Sequence, residues 1–153
     1  MPTIEDVYLK FGSASEVVQL LELELGTLLF RSKAIEASLF ENPSHDRALE
    51  LSRLVNRKTL GQLIGSLSES DQSITDLQEV LSRAVSERNR LAHSFFREHN
   101  NRRNSEEGRI IMLEDLESIH ETFRDACKAV MRLSGIDLDS VLMEEPPTEH
   151  LPL

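Results

Sequence analysis

The stretch that decides the fold is Ser86-Glu87-Arg88-Asn89-Arg90-Leu91-Ala92-His93-Ser94-Phe95-Phe96-Arg97. It lies within residues 74–99, where apolar residues recur every three or four positions, as on one face of an α-helix. The spacing therefore predicts one helix over residues 74–99, with its polar residues on the opposite face. Its predicted inward face contains Ile74, Leu77, Leu81, Ala84, Val85, Leu91, Ala92, Phe95 and Phe96.

Two other long segments have the same periodicity. Residues 13–40 begin with Ser13-Ala14-Ser15-Glu16, the pattern of a capping box, and stop before Asn42-Pro43. This helix is apolar on nearly every side, so it is predicted either to be central in the bundle or to be covered partly by a second protomer. Residues 113–134 form the last long helix, which Gly135 is placed to terminate.

Shorter helices connect these long ones. One is predicted to end near Asn56, and another begins at a second capping box, Thr59-Leu60-Gly61-Gln62. No segment alternates with a period of two for long enough to indicate a strand. The sequence therefore predicts an all-α protein, an antiparallel bundle of about five helices arranged as two long helical hairpins.

The length and composition indicate one domain and a tail. A chain of 153 residues buries enough surface for a single core, and residues 1–135 carry the helical patterns. Residues 136–153 contain five acidic residues, no lysine or arginine, and Pro146-Pro147. Such a composition is typical of a flexible acidic tail.

Positive charge is concentrated around the quoted stretch. The whole chain has a formal charge of −10, yet residues 88–103 contain five arginines and one glutamate, a local charge of +4, which leaves −14 on the remainder. A basic island on an acidic body favours a localised site for a phosphate chain over broad adhesion to polyanions. The candidate nucleic-acid-binding residues are Arg90, Arg97, Arg102 and Arg103. Residues 99–110 have no apolar period and are predicted to form a polar, mobile loop that either contacts a substrate or is only solvated.

The predicted helix also carries candidate catalytic groups. Asn89 and His93 are four residues apart and should lie on one face. An imidazole both accepts and donates protons near neutral pH, and a guanidinium matches phosphate oxygens in pairs. Arg88 falls on the apolar face, so its charge needs a carboxylate partner, predicted to be Glu24 or another acid on the first or last helix.

The pattern Arg88-Asn89-x-x-x-His93 resembles the RNxxxH motif of HEPN domains, small all-helical proteins that include many metal-independent ribonucleases of toxin and phage-defence systems. Residues 59–64 and Phe95-Phe96 also resemble bacterial members, and the resemblance extends over residues 13–134. It implies an endoribonuclease that cleaves RNA through its 2′-hydroxyl, with Arg88, Asn89 and His93 at a homodimer interface. The implied partners are RNA and an antitoxin or regulatory protein. The alternative is a non-catalytic helical module that binds a protein partner or a nucleotide.

Several classes of site find no support in the sequence. Cys127 is the only cysteine, so no intrachain disulfide forms and a reducing compartment is expected. No histidine, cysteine or acidic residues have metal-ligand spacing, so no metal and no cofactor are predicted. The sequence shows neither a secretory signal nor an apolar run of about 20 residues, so no membrane contact and a cytoplasmic location are expected.

Overall fold

The computed structural model describes residues 1–149, and within them every regular element is a helix. These are α1 (Ile4–Glu36), α2 (His45–Asn56), α3 (Leu60–Ser68), α4 (Gln72–Asp76), α5 (Gln78–His93), α6 (Phe95–Glu98), a 3₁₀ helix (Asn100–Asn104), α7 (Glu106–Leu133) and α8 (Leu138–Val141). The predicted all-α bundle is confirmed.

Helix α1 is longer at its start than the sequence analysis predicted. Thr3 caps it, accepting from the Asp6 backbone N–H while the Asp6 carboxylate accepts from the Thr3 N–H. The predicted capping box at Ser13 is therefore wrong, and the Ser13 hydroxyl donates instead to the Leu9 carbonyl. The helix ends at Glu36 rather than near Phe40, and Ser38 turns the chain with a φ of 54°.

The core lies between α1, α7 and the helices that connect them. The buried stripe of α1 is Val7, Ala14, Val18, Leu21, Leu25 and Leu29, whereas Ile35 is exposed. Helices α1 and α7 run parallel, because their contacts follow the same order along both helices. Pro2 contacts Arg109, Lys10 contacts His120, and Leu20 packs on the cluster around Cys127. Helix α5 runs antiparallel to α1 between the pairs Glu22–Arg88 and Phe11–Phe95. The sequence predicted an antiparallel bundle and did not anticipate the parallel arrangement of α1 and α7.

The region after the motif differs most from the sequence-based prediction. The predicted helix over residues 74–99 is broken near its start and at Ser94, whose φ is −129°. Residues 99–110, predicted to be a mobile loop, form the 3₁₀ helix and the first turn of α7, which Ser105 caps. Beyond Gly135, which ends α7 with a φ of 73° as expected, the predicted tail begins with α8, and Leu138 packs against Cys127 and Met131. Residues 150–153 of that tail lie outside the described part of the chain.

Candidate functional site

The polar face that the sequence predicted lies at the surface of α5 and forms a polar strip. Ser82, Ser86, Asn89 and His93 are all exposed, and His93 is the last residue of the helix. Within residues 1–149 the imidazole of His93 makes no hydrogen bond or ion pair, and the residue is exposed. The wheel argument for Asn89 and His93 is confirmed. Ala92 and Phe96, predicted to face inward, are exposed beside this strip.

Arg88 lies at the edge of the core and binds a carboxylate of α1. Its Nε donates to Glu22 Oε1 at 3.3 Å, and its Nη1 donates to Asn89 Oδ1 at 3.3 Å. The prediction of an acidic partner on the first helix is confirmed, although the partner is Glu22 rather than Glu24. Since a guanidinium has five N–H donors, three make no hydrogen bond to residues 1–149.

A groove opens between α1 and α5 next to the polar strip. Its volume is about 320 Å³, and Arg88 and Glu22 lie at one side of it. The remaining lining residues are Phe11, Ser15, Val18, Gln19, Leu91 and Ala92. The groove thus brings a guanidinium and apolar surface to the face of the helix that carries Asn89 and His93.

Arg90, predicted to bind nucleic acid, is instead held by three carboxylates. Its Nη1 and Nη2 donate to Asp115 at 2.8 and 2.6 Å, Nη1 also donates to Glu98 at 3.0 Å, and Nε donates to Glu87 at 3.0 Å. The hydrogen bonds that Arg90 donates to Asp115 are the main reason that the pKa of Arg90 is raised. A guanidinium occupied in this way has little capacity left for a phosphate, which argues against the predicted role of Arg90 in binding nucleic acid.

His99 and Asp115 extend this network into the core. His99 is only 4% exposed, its ring packs on Phe95, and its Nε2 bonds Asp115 Oδ2 at 2.6 Å. Arg102 Nη1 donates to His99 Nδ1 at 2.9 Å, which assigns the proton of a neutral ring to Nε2. The hydrogen bond from Arg90 is the largest cause of the lowered pKa of Asp115. The sequence analysis did not find this cluster, because Arg90 and Asp115 are 25 positions apart and only the packing of α7 brings them together.

The remaining predicted basic residues differ in their contacts. Arg102 is tied to His99, so it serves the network described above. Arg97 is exposed and donates to the Ser94 hydroxyl at 3.2 Å, and Arg103 is exposed and donates to the Tyr8 hydroxyl at 2.8 Å. Each of these two uses a single donor in the described part of the chain, so both retain donors for a phosphate.

Asp115→Ala is expected to reduce the free energy of unfolding by about 2 kcal/mol, because it leaves Arg90 and His99 without their shared acceptor. The network is partly exposed, and water will satisfy some of the freed donors, which keeps the loss below that of a fully buried ion pair. Urea denaturation followed by circular dichroism measures it. The control is Asp125→Ala, an exposed acid of the same helix, for which a change within about 0.5 kcal/mol is expected. Equal stability of the two variants would contradict the structural role of the network.

His120 lies on the buried face of α7. Lys10 Nζ donates to His120 Nδ1 at 2.9 Å and also pairs with Glu117. Burial, followed by the nearby charges of Lys10 and Arg124, lowers the pKa of His120 below its usual value of 6.5. A neutral ring therefore suits the folded state.

This shift predicts a loss of stability at acidic pH. Because the pKa of His120 is lower in the folded state, the unfolded chain takes up the proton first, and stability falls as the pH drops below about 6.5. His120→Gln is expected to reduce this fall, which for one proton is at most ~1.4 kcal/mol per pH unit. Urea titrations between about pH 7.5 and 5.5 measure the slope. An identical slope in wild type and variant would contradict the assignment.

Other chemistry finds few candidates in the described region. Residues 1–149 contain no group of three or more histidine, cysteine or acidic side chains arranged to hold a metal ion. Burial raises the pKa of the Cys127 thiol to about 11, so this cysteine is a poor nucleophile. No described helix is both long and apolar enough to cross a membrane.

No family model, curated protein or solved structure significantly matches this chain.

Proposed function

We propose that this protein is a metal-independent endoribonuclease of the HEPN type, acting as a homodimer, with Arg88, Asn89 and His93 at its site. The observation that carries the proposal is the exposure of Asn89 and His93 on one face of α5, beside a groove that contains the Arg88 guanidinium. A phosphodiester can approach this face from solvent. The resemblance of residues 88–93 to the RNxxxH motif supports the same reaction.

The proposed reaction is attack by the RNA 2′-hydroxyl on the adjacent phosphorus. The 2′-hydroxyl gives up its proton as its oxygen bonds to phosphorus, which forms a 2′,3′-cyclic phosphate. The bond from phosphorus to the 5′-oxygen of the next nucleotide breaks, and that oxygen gains a proton. His93 is the group suited to take or supply that proton near neutral pH, and the free N–H donors of Arg88 stabilise charge on the phosphate oxygens. The Arg88–Asn89 hydrogen bond keeps the guanidinium and the amide side by side. Each chain carries one motif histidine, so a reaction that uses both a base and an acid takes the second from the partner.

The reaction class is tested by incubating purified wild-type protein, in the presence of a metal chelator, with a pool of RNAs. The proposal expects internal cuts whose 5′ fragments end in a 2′,3′-cyclic phosphate and whose 3′ fragments begin with a 5′-hydroxyl. Intact RNA, or fragments with 5′-phosphates, would refute it. Sedimentation of the same sample measures whether the chain is dimeric.

One observation favours the alternative, a non-catalytic module that binds a protein partner or nucleotide. The ion pair between Arg88 and Glu22 gives the arginine a structural role and partly neutralises its charge. Expression in bacteria separates the two functions. If the protein is a nuclease toxin, expression of the wild type arrests growth and expression of His93→Ala does not, and co-expression of an antitoxin or regulatory protein encoded beside it relieves the arrest. If the protein is a binding module, both forms affect growth equally.

A further inference from the structure

Four aromatic rings cluster where α1 meets the end of the motif helix. The Phe96 ring lies 5.0 Å from Phe11, 5.2 Å from Phe95 and 6.0 Å from Tyr8, measured between ring centroids. Phe95 is fully buried, but Phe96 is 39% exposed and Tyr8 is 46% exposed. The cluster therefore consists of the buried Phe95 ring, the partly buried Phe11 ring and two outer rings that present apolar surface to solvent.

This surface is continuous with the candidate site. Phe96 follows His93 by three residues and Ala92 by four, across the break at Ser94 between α5 and α6. The exposed Ala92 side chain is too small to cover the ring. Phe11 lines the groove of Arg88 and also packs on Phe96. A ligand in the groove thus reaches the aromatic surface without crossing the body of the protein.

An arginine contacts one of the two outer rings, and another arginine follows the second ring in the chain. Arg103 donates to the Tyr8 hydroxyl at 2.8 Å, and Arg97 is the neighbour of Phe96 in the chain. Both guanidiniums are exposed, in a protein whose net charge is −10. Aromatic rings flanked by arginines on an otherwise acidic protein complement a ligand that has flat apolar faces and regularly spaced negative charges.

We propose that Phe96 and Tyr8 form a stacking surface for an unpaired base, with Arg97 and Arg103 binding the adjacent phosphates, so that the protein selects single-stranded over duplex RNA. The identity of the ligand as RNA rests on the proposed function. The faces of a base are accessible to a side chain only when the base has left the helical stack. Stacking on an aromatic ring is nearly independent of the base, whereas arginines contact the backbone whatever the sequence.

Binding is measured by fluorescence anisotropy in the His93→Ala background, which keeps the RNA intact. The probes are a short unstructured RNA oligonucleotide and the same oligonucleotide annealed to its complement. The single strand is expected to bind more tightly, and Phe96→Leu to weaken that binding roughly tenfold. Phe96→Tyr keeps a ring and should bind as the parent does, as should Phe40→Leu, which removes an exposed ring elsewhere. Arg103→Gln should lower the slope of log affinity against log salt by about 0.7.

Equal affinity for the duplex, unchanged binding by Phe96→Leu, or no RNA binding at all would overturn the proposal. An exposed aromatic surface can also be a dimer interface, and sedimentation of Phe96→Leu tests this alternative. Weakened binding that accompanies loss of a dimer would identify the rings as a protein interface and overturn it as well. The two proposals fail separately. Phe96-dependent binding without cleavage by wild type refutes only the nuclease, and cleavage without any Phe96 effect refutes only the stacking surface.

Discussion

Replacement of His93 by alanine is expected to lower the rate constant for RNA cleavage by at least about a hundredfold. A positioned proton donor or acceptor typically contributes a factor of 10²–10⁴ to a reaction of this kind. The imidazole is exposed and makes no hydrogen bond in the described region, so its removal should leave the fold intact. The loss should therefore appear in the chemical step at saturating RNA, with unchanged stability to urea.

The matched control is His45→Ala, which removes an exposed histidine at the start of α2. It should cleave at the wild-type rate. Single-turnover assays of both variants on one labelled RNA separate cleavage from binding and product release. A loss below about tenfold in His93→Ala, or an equal loss in His45→Ala, would show that His93 does not carry out the proton transfer.

Gly108→Ala is expected to reduce the free energy of unfolding by about 3 kcal/mol, whereas glycine-to-alanine changes within helices usually stabilise. Gly108 lies in the first turn of α7, where its backbone N–H donates to the Ser105 hydroxyl at 3.1 Å. A Cβ atom there would lie 2.1 Å from the Arg102 carbonyl oxygen and 2.6 Å from the Arg102 Cα. The obstruction is backbone, so no side-chain rotation relieves it, and the 3₁₀ helix that carries Arg102 must move.

Gly65→Ala is the control, because a Cβ atom at this position in α3 meets nothing within 4 Å. It should gain roughly 0.5–1 kcal/mol, the ordinary helix preference for alanine. Urea denaturation of the two variants measures the expected loss of stability in Gly108→Ala and the expected gain in Gly65→Ala. A stable Gly108→Ala protein would mean that the 3₁₀ helix does not pack on α7 as described.

The candidate site was only partly predictable from the sequence. Asn89 and His93 were placed correctly, since two residues four apart on a helix share a face whatever the helix packs against. The carboxylate environment of Arg90 was not predicted, because it depends on Asp115, which follows 25 residues later in the chain. Phe96 was also misplaced. Its spacing fits the core, but the neighbouring Phe95 is the ring that is buried, leaving Phe96 at the rim.

By itself the sequence determined the all-α class, the capping box at Thr59, the stop at Gly135 and the exposed face of the motif helix. Each of these depends on hydrogen bonds and periodicity within a few residues, which local sequence specifies. Only the tertiary structure decided that Arg88 pairs with Glu22, that Arg90 pairs with Asp115, and that most of residues 99–110 are helical. These outcomes depend on which helices become neighbours, and that choice is set by burial of the whole apolar surface rather than by any single segment.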